Sequence, residues 1–150
     1  MRIFFFAALL LAALLLPARA DAAADPSAVV QKTFEVALRH FGFSPESVKV
    51  QKSRLTPHLY AHLWNKVNKP VPKDDIPDID GDVFLDCQDP PQSFHVGVTT
   101  FNGICAGVPV TLVWSGEMRH YNVQLLKIAG AWKIDDIDFG KDGTLLNELK

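Results

Sequence analysis

Cysteine, methionine and tyrosine are scarce in this 150-residue chain, with two of each. Two cysteines exclude a small scaffold stapled by many disulfides. A basic excess is also missing, since 15 Lys and Arg stand against 17 Asp and Glu. A nucleic-acid binder neutralises phosphates with a clustered Lys/Arg surface, so that class is excluded. The longest apolar run is the 14 residues from Ile3 to Leu16, which excludes a protein that crosses a membrane several times. No serine lies in a G-x-S-x-G turn, and neither a phosphate-binding loop nor a dinucleotide fingerprint is present. These absences argue against the common exported hydrolases and against nucleotide enzymes, and they imply no cofactor.

What is present is unevenly distributed. Residues 1–20 hold 17 of the hydrophobic residues, two arginines and no acid. The remaining 130 residues are about 42% hydrophobic and carry a formal charge of −4. Met1-Arg2, the apolar run, Pro17 and then Ala18-Arg19-Ala20 follow the order of a secretory signal peptide cleaved after Ala20. The run would cover ~21 Å as a helix, short of a ~30 Å hydrocarbon core. No cysteine follows Pro17 to make a lipobox, so the expectation is a protein exported to a bacterial periplasm with no membrane anchor after cleavage. In an oxidising compartment Cys87 and Cys105 are expected to pair, closing a loop of about 18 residues.

Residues 21–25 form a short leader, and 26–150 read as one domain. Asp25-Pro26 is a helix start, Val30, Phe34, Leu38 and Phe41 recur at helical spacing, and Gly42 is expected at C′. A turn is expected around Ser44-Pro45. Thr56-Pro57 opens a second helix to about Lys69, with Leu59, Tyr60, Leu63, Trp64 and Val67 on one arc. His58 and His62 lie on the opposite arc. Their i, i+4 spacing suits zinc, but the segment His-Leu-Tyr-Ala-His lacks the usual Glu, and they read as surface histidines with no metal.

Prolines 70, 72 and 77 and five aspartates then break regular structure between residues 70 and 82. Asp78-x-Asp80-Gly81 suggests a calcium loop, but with Gly81 at the sixth position the first and twelfth are Ile76 and Cys87, which are not ligands. A short helical turn is expected within 82–89. Four strands follow. Phe94, Val96 and Val98 alternate inward, as do Val108, Val110, Leu112 and Trp114, then Tyr121, Val123 and Leu125, then Trp132 and Ile134. Asn102-Gly103, Ser115-Gly116 and Ala129-Gly130 are the hairpin turns. Ile137 and Phe139 have the wrong parity for the last strand, which predicts a β-bulge at Asp135-Asp136. Pro109 cannot donate to a ladder and predicts a bulge or an edge. The chain ends in a helical turn over 144–150. Helices first and an antiparallel meander after make an α+β domain.

This order resembles the nuclear transport factor 2-like cone fold, and Gly130-Ala131-Trp132-Lys133-Ile134-Asp135-Asp136-Ile137 is similar to a strand common in it. More narrowly, Asp80-Gly81-Asp82-Val83-Phe84-Leu85-Asp86-Cys87-Gln88-Asp89-Pro90 resembles a block of domain of unknown function 3828, a family of small exported bacterial proteins. Val83 stands where members often have proline. The resemblance implies N-terminal helices on a curved four-stranded sheet, with a cavity between them and no established activity. Candidate residues for that cavity and its mouth are Asp80, Asp82, Gln88, Asp89, His95, Tyr121 and Trp132. The leading expectation is a noncatalytic exported module binding an envelope protein or a small apolar ligand. One subtype is an immunity protein against an exported toxin. The rival is an isomerase or dehydratase using a pocket Asp or His as base. The resembled fold often dimerises through the outer face of its sheet, which adds a homodimer to the expectations.

Overall fold

The computed structural model describes residues 25–72 and 79–150. The expected signal segment, and Asp74, Asp75 and Asp78 of the Asp-rich link, lie outside these residues. Helix α1 (Pro26–Arg39) begins where Asp25 accepts from Ser27 N–H and Pro26 supplies a preset φ. Val30 and Phe34 are fully buried on its inner face. It ends earlier than expected. His40 is the C-cap, so Gly42, at φ +107°, lies at C″ rather than C′.

The expected turn at Ser44-Pro45 is instead the start of α2 (Pro45–Gln51). Ser44 and Ser47 cap each other reciprocally, and this two-serine box converts a turn signal into a helix start. The buried Gln51 amide donates to Thr33 O at 2.9 Å and ties α2 to α1. Helix α3 (Pro57–Val67) opens on Thr56, whose hydroxyl accepts from Leu59 N–H, and it buries Leu59 and Leu63.

The sheet has five antiparallel strands rather than four: β1 (Ser93–Val96), β2 (Thr100–Asn102), β3 (Cys105–Trp114), β4 (Glu117–Ile128) and β5 (Ala131–Asp138). Their order is β1-β3-β4-β5, with β2 also paired to β3. The extra strand arises because the first expected strand is split. Pro109 O accepts from Gly97 N–H at 2.8 Å. In an antiparallel strand a residue's N–H points to the same side as its C=O. The donor that proline lacks would therefore face Gly97 O, just where the partner strand leaves the ladder. Val98 is thereby turned out of the core and is 85% exposed, against its expected inward parity.

All three expected hairpin turns are present. The bulge is present too. Leu125 pairs with Ile134 and Gln124 with Asp136, leaving Asp135 as the extra residue. The bulge has work for both aspartates. Asp135 accepts from the Thr56 hydroxyl at 2.9 Å and so steadies the α3 cap. Asp136 accepts from Leu146 N–H at 3.0 Å at the start of α4 (Leu145–Glu148). Because of that extra residue, Ile134 and Ile137 are both fully buried despite opposite parity.

The core lies between the helices and the inner sheet face, where Phe34, Leu59 and Leu63 meet Val108, Leu112, Val123 and Ile134. Val83, Phe84 and Leu85 belong to the same cluster, each at most 2% exposed.

Candidate functional site

The 80–89 block is a folded plug. Gly81 has φ +111°, and a Cβ there would stand 2.2 Å from Cys87 O, so only glycine fits. The next residue, Asp82, exchanges backbone hydrogen bonds with Cys87. Its carboxylate, 2% exposed, accepts from Phe84 N–H (2.9 Å), Leu85 N–H (3.0 Å) and, forty residues away, Gly42 N–H (3.2 Å). Burial pushes its pKa up to about 6, against the lowering effect of these donors. One side chain thus closes the plug's turn and fastens it to the α1–α2 corner. The plug adds Val83, Phe84 and Leu85 to the core shared by helices and sheet.

Side chains of the β3–β4 hairpin hold the plug's outer half. Trp114 Nε1 donates to Asp89 O at 2.9 Å, Arg119 Nη1 to Asp86 O at 3.0 Å, and the Tyr121 hydroxyl to Leu85 O at 3.0 Å. Arg119 also donates to Glu117 at 2.8 Å and lies over the Trp114 ring at 5.0 Å. Between plug and hairpin runs an open groove of about 510 Å³ lined by Asp80, Asp86, Gln88, Asp89, Glu117 and Arg119 among others. A second hollow of about 690 Å³ shares Asp86, Glu117 and Arg119 and continues past Met118 to Lys141 and Asp142. Carboxylates dominate this end of the molecule. Burial, then repulsion from Asp86 and Asp142, pushes Glu148 in α4 up to about 7. Burial and Asp142 raise Asp86 as well.

The expected site residues are only partly brought together. Asp80, Gln88 and Asp89 line the groove mouth, with Gln88 Nε2 donating to Asp80 at 3.1 Å. Tyr121 is buried behind them, edge-on to Phe139. His95 stands away on the outer sheet face, in one cross-strand row with Thr111 and His120. Trp132 lies nearer the opposite end of the sheet, beside Phe101 and under Lys127. Residues of the groove not anticipated as site residues include Asp86, Trp114, Glu117 and Arg119, and the second hollow adds Asp142. Trp114, Glu117 and Arg119 flank the correctly placed Ser115-Gly116 turn, and only the three-dimensional approach of the plug gives them a role.

The expected disulfide is absent, and both cysteines are free thiols. Cys87 sits in the plug with Arg119 among the charges around it, and Arg119 pairs with Leu112. Cys105 is seven residues back from Leu112 along β3, a span of roughly 23 Å at strand rise, whereas bridged Cα atoms stand within ~7 Å. Burial, then the Asp82 charge, pushes the Cys87 thiol up to about 12, which disfavours the thiolate. His58 and His62 meet edge to face at 4.7 Å, and among the described residues no group of three His, Cys, Asp or Glu could hold a metal.

These features define an α+β domain whose groove lies on its outside, between a plug and a hairpin. That geometry is compatible with a noncatalytic interaction module and a protein partner. No family model matches the chain, and no curated protein matches it. Among solved structures it is similar to a chain of the type VI effector–immunity complex Tae3–Tai3 from Ralstonia pickettii. In the selenomethionine form the identity is 23%, the TM-score 0.58, and the match covers 77% of this chain and 96% of that one. In the native form the values are 21%, 0.54, 79% and 96%. At this identity the likeness is one of fold.

Proposed function

We propose that this protein is an exported immunity-type module that binds an effector toxin in the cell envelope and blocks it, with the acidic groove as its docking face. The observation that carries the reading is the likeness to nearly the whole of a chain in two effector–immunity crystal structures. The groove supports it. Trp114 and exposed Met118 offer apolar contact, ringed by carboxylates that would steer a basic toxin surface. The export signal in residues 1–20 supplies the route to the periplasm in this reading. The pocket-enzyme alternative has little to use. Asp89 and His95 are exposed, and both Asp82 oxygens are occupied by backbone N–H groups.

The test looks for an effector gene beside the gene of this protein and pairs the purified protein with its product. A tight complex in calorimetry, and survival of cells that carry the toxin in the periplasm together with this protein, are expected. Absence of both binding and protection would overturn the proposal.

A further inference from the structure

His58 and His62 on α3 stand apart from the groove, and nothing in the proposed function uses them. Both project from one side of the helix, because residues four apart are neighbours on its surface. His58 is exposed and His62 half-buried, and their ring centroids are 4.7 Å apart with 71° between the planes. That separation has a chemical meaning. A divalent ion holds imidazole nitrogen at about 2.0–2.1 Å, which sets each ring centroid about 3.2 Å from the metal. Two such rings lie about 4.5 Å apart when bound at a right angle and about 5.2 Å apart at the tetrahedral angle. The observed 4.7 Å falls between these values. Rotation of the two side chains alone lets one ion take both rings.

We propose that His58 and His62 form an exchangeable site for a first-row divalent transition-metal ion. Imidazole suits Zn²⁺, Cu²⁺ and Ni²⁺, whereas Ca²⁺ and Mg²⁺ take oxygen ligands. Among the described residues no third His, Cys, Asp or Glu completes the set. Water supplies the other ligands, so the site is open and exchangeable rather than structural. Two features hold its affinity to the micromolar range. His58 is the second residue of α3, where the partial positive charge of the helix N-terminus opposes a cation. Lys66 follows four residues after His62 on the same side. An ion held by both rings clips the first turn of α3 to the second. That first turn starts at Thr56, whose hydroxyl joins the helix to Asp135 of β5. Occupancy therefore stabilises the join between helix and sheet. No residue lining the groove is on α3, so partner binding there does not depend on the ion.

Ni²⁺ is the probe, because thiolate favours copper and zinc and Cys105 carries an exposed thiol. The untagged protein is titrated with NiCl₂ by calorimetry at about pH 7.5, since imidazole binds metal only when unprotonated. One ion per chain at micromolar affinity is expected. Groups that merely support a metal ligand are worth about 10–100-fold in affinity. His58→Ala and His62→Ala, which each remove one of two ligands, should therefore weaken binding at least about tenfold. Alanine is the best helix former, so both variants should keep the wild-type circular dichroism spectrum. His40→Ala, His95→Ala and His120→Ala should leave the affinity unchanged. In NMR spectra, paramagnetic Ni²⁺ should broaden the His58 and His62 imidazole signals together and ahead of the other histidines. Absence of binding up to about 1 mM Ni²⁺ overturns the proposal. So does binding that survives both substitutions, or that is lost in Cys105→Ser instead. One ion per two chains overturns it in favour of a site shared between chains.

Discussion

The two ends of the sheet are built on opposite principles. Where β3 meets the plug, carboxylates crowd around one arginine that is committed to Asp86 O, Glu117 and the Trp114 ring. Where β3 meets β2, those two strands carry no formal charge of their own, Lys127 and Asp135 approach from β4 and β5, and apolar side chains stand in the open. The acidic end is also the more deeply engineered, since buried Asp82 fastens it to the helices through three backbone donors. The uncharged end is a two-strand extension whose exposed residues contribute little to the core. The largest consequence is in folding. Asp82→Ala leaves three N–H groups without their acceptor and is expected to cost about 3 kcal/mol, whereas Val98→Glu should stay within ~0.5 kcal/mol. Urea denaturation of the two variants measures the contrast, and equal losses would break it.

A smaller effect separates the ends by pH. Asp82 at about 6 and Glu148 at about 7 both hold their protons more firmly in the folded chain than in the unfolded one. Their contribution is fully present below the unfolded carboxylate pKa and is lost as pH rises through the folded values. The protein should therefore be more stable near pH 5 than near pH 8. Glu148 is only part-buried, so solvent screening limits its share to about 1 kcal/mol, and Glu148→Gln should flatten the slope by that amount. Thermal unfolding of both proteins across this pH range would show it. A slope unchanged in the variant would mean that Glu148 does not feel the acidic end.

Much of this arrangement was legible in local chemistry, and the part that was not has a common cause. Turn residues and side-chain parity located three hairpins and the Asp135 bulge, because each depends on neighbours in sequence. The split of the first strand was half legible. Pro109 announced an interruption, but it fell on the facing strand, twelve residues upstream at Gly97. Helix α2 was hidden because Ser44-Pro45 signals a turn and a helix start equally well, and the Ser47 partner decides between them. The Asp80–Asp89 block stood out as a unit, yet its role did not. A buried aspartate that fastens a plug and a pocket aspartate that moves a proton look alike in sequence, and only the Gly42 contact tells them apart. The cysteine pairing failed for the same reason, since an 18-residue spacing says nothing about two positions roughly 23 Å apart along a sheet.

Salt gives the finest discrimination between the ends. Exposed charges attract over about 10 Å at 0.1 M salt and about 3 Å at 1 M, so an interface steered by carboxylates weakens as salt rises. Contact between uncharged apolar surfaces carries no such term. Under the proposed function, partner binding at the groove should weaken severalfold between about 50 and about 500 mM NaCl, mostly through a slower association rate. Asp86→Asn with Asp142→Asn, which removes two of the carboxylates lining the groove and the adjoining hollow, should remove part of that dependence. Stopped-flow association kinetics at the two salt concentrations measures it, and an association rate indifferent to salt would mean that the carboxylates do not steer the encounter.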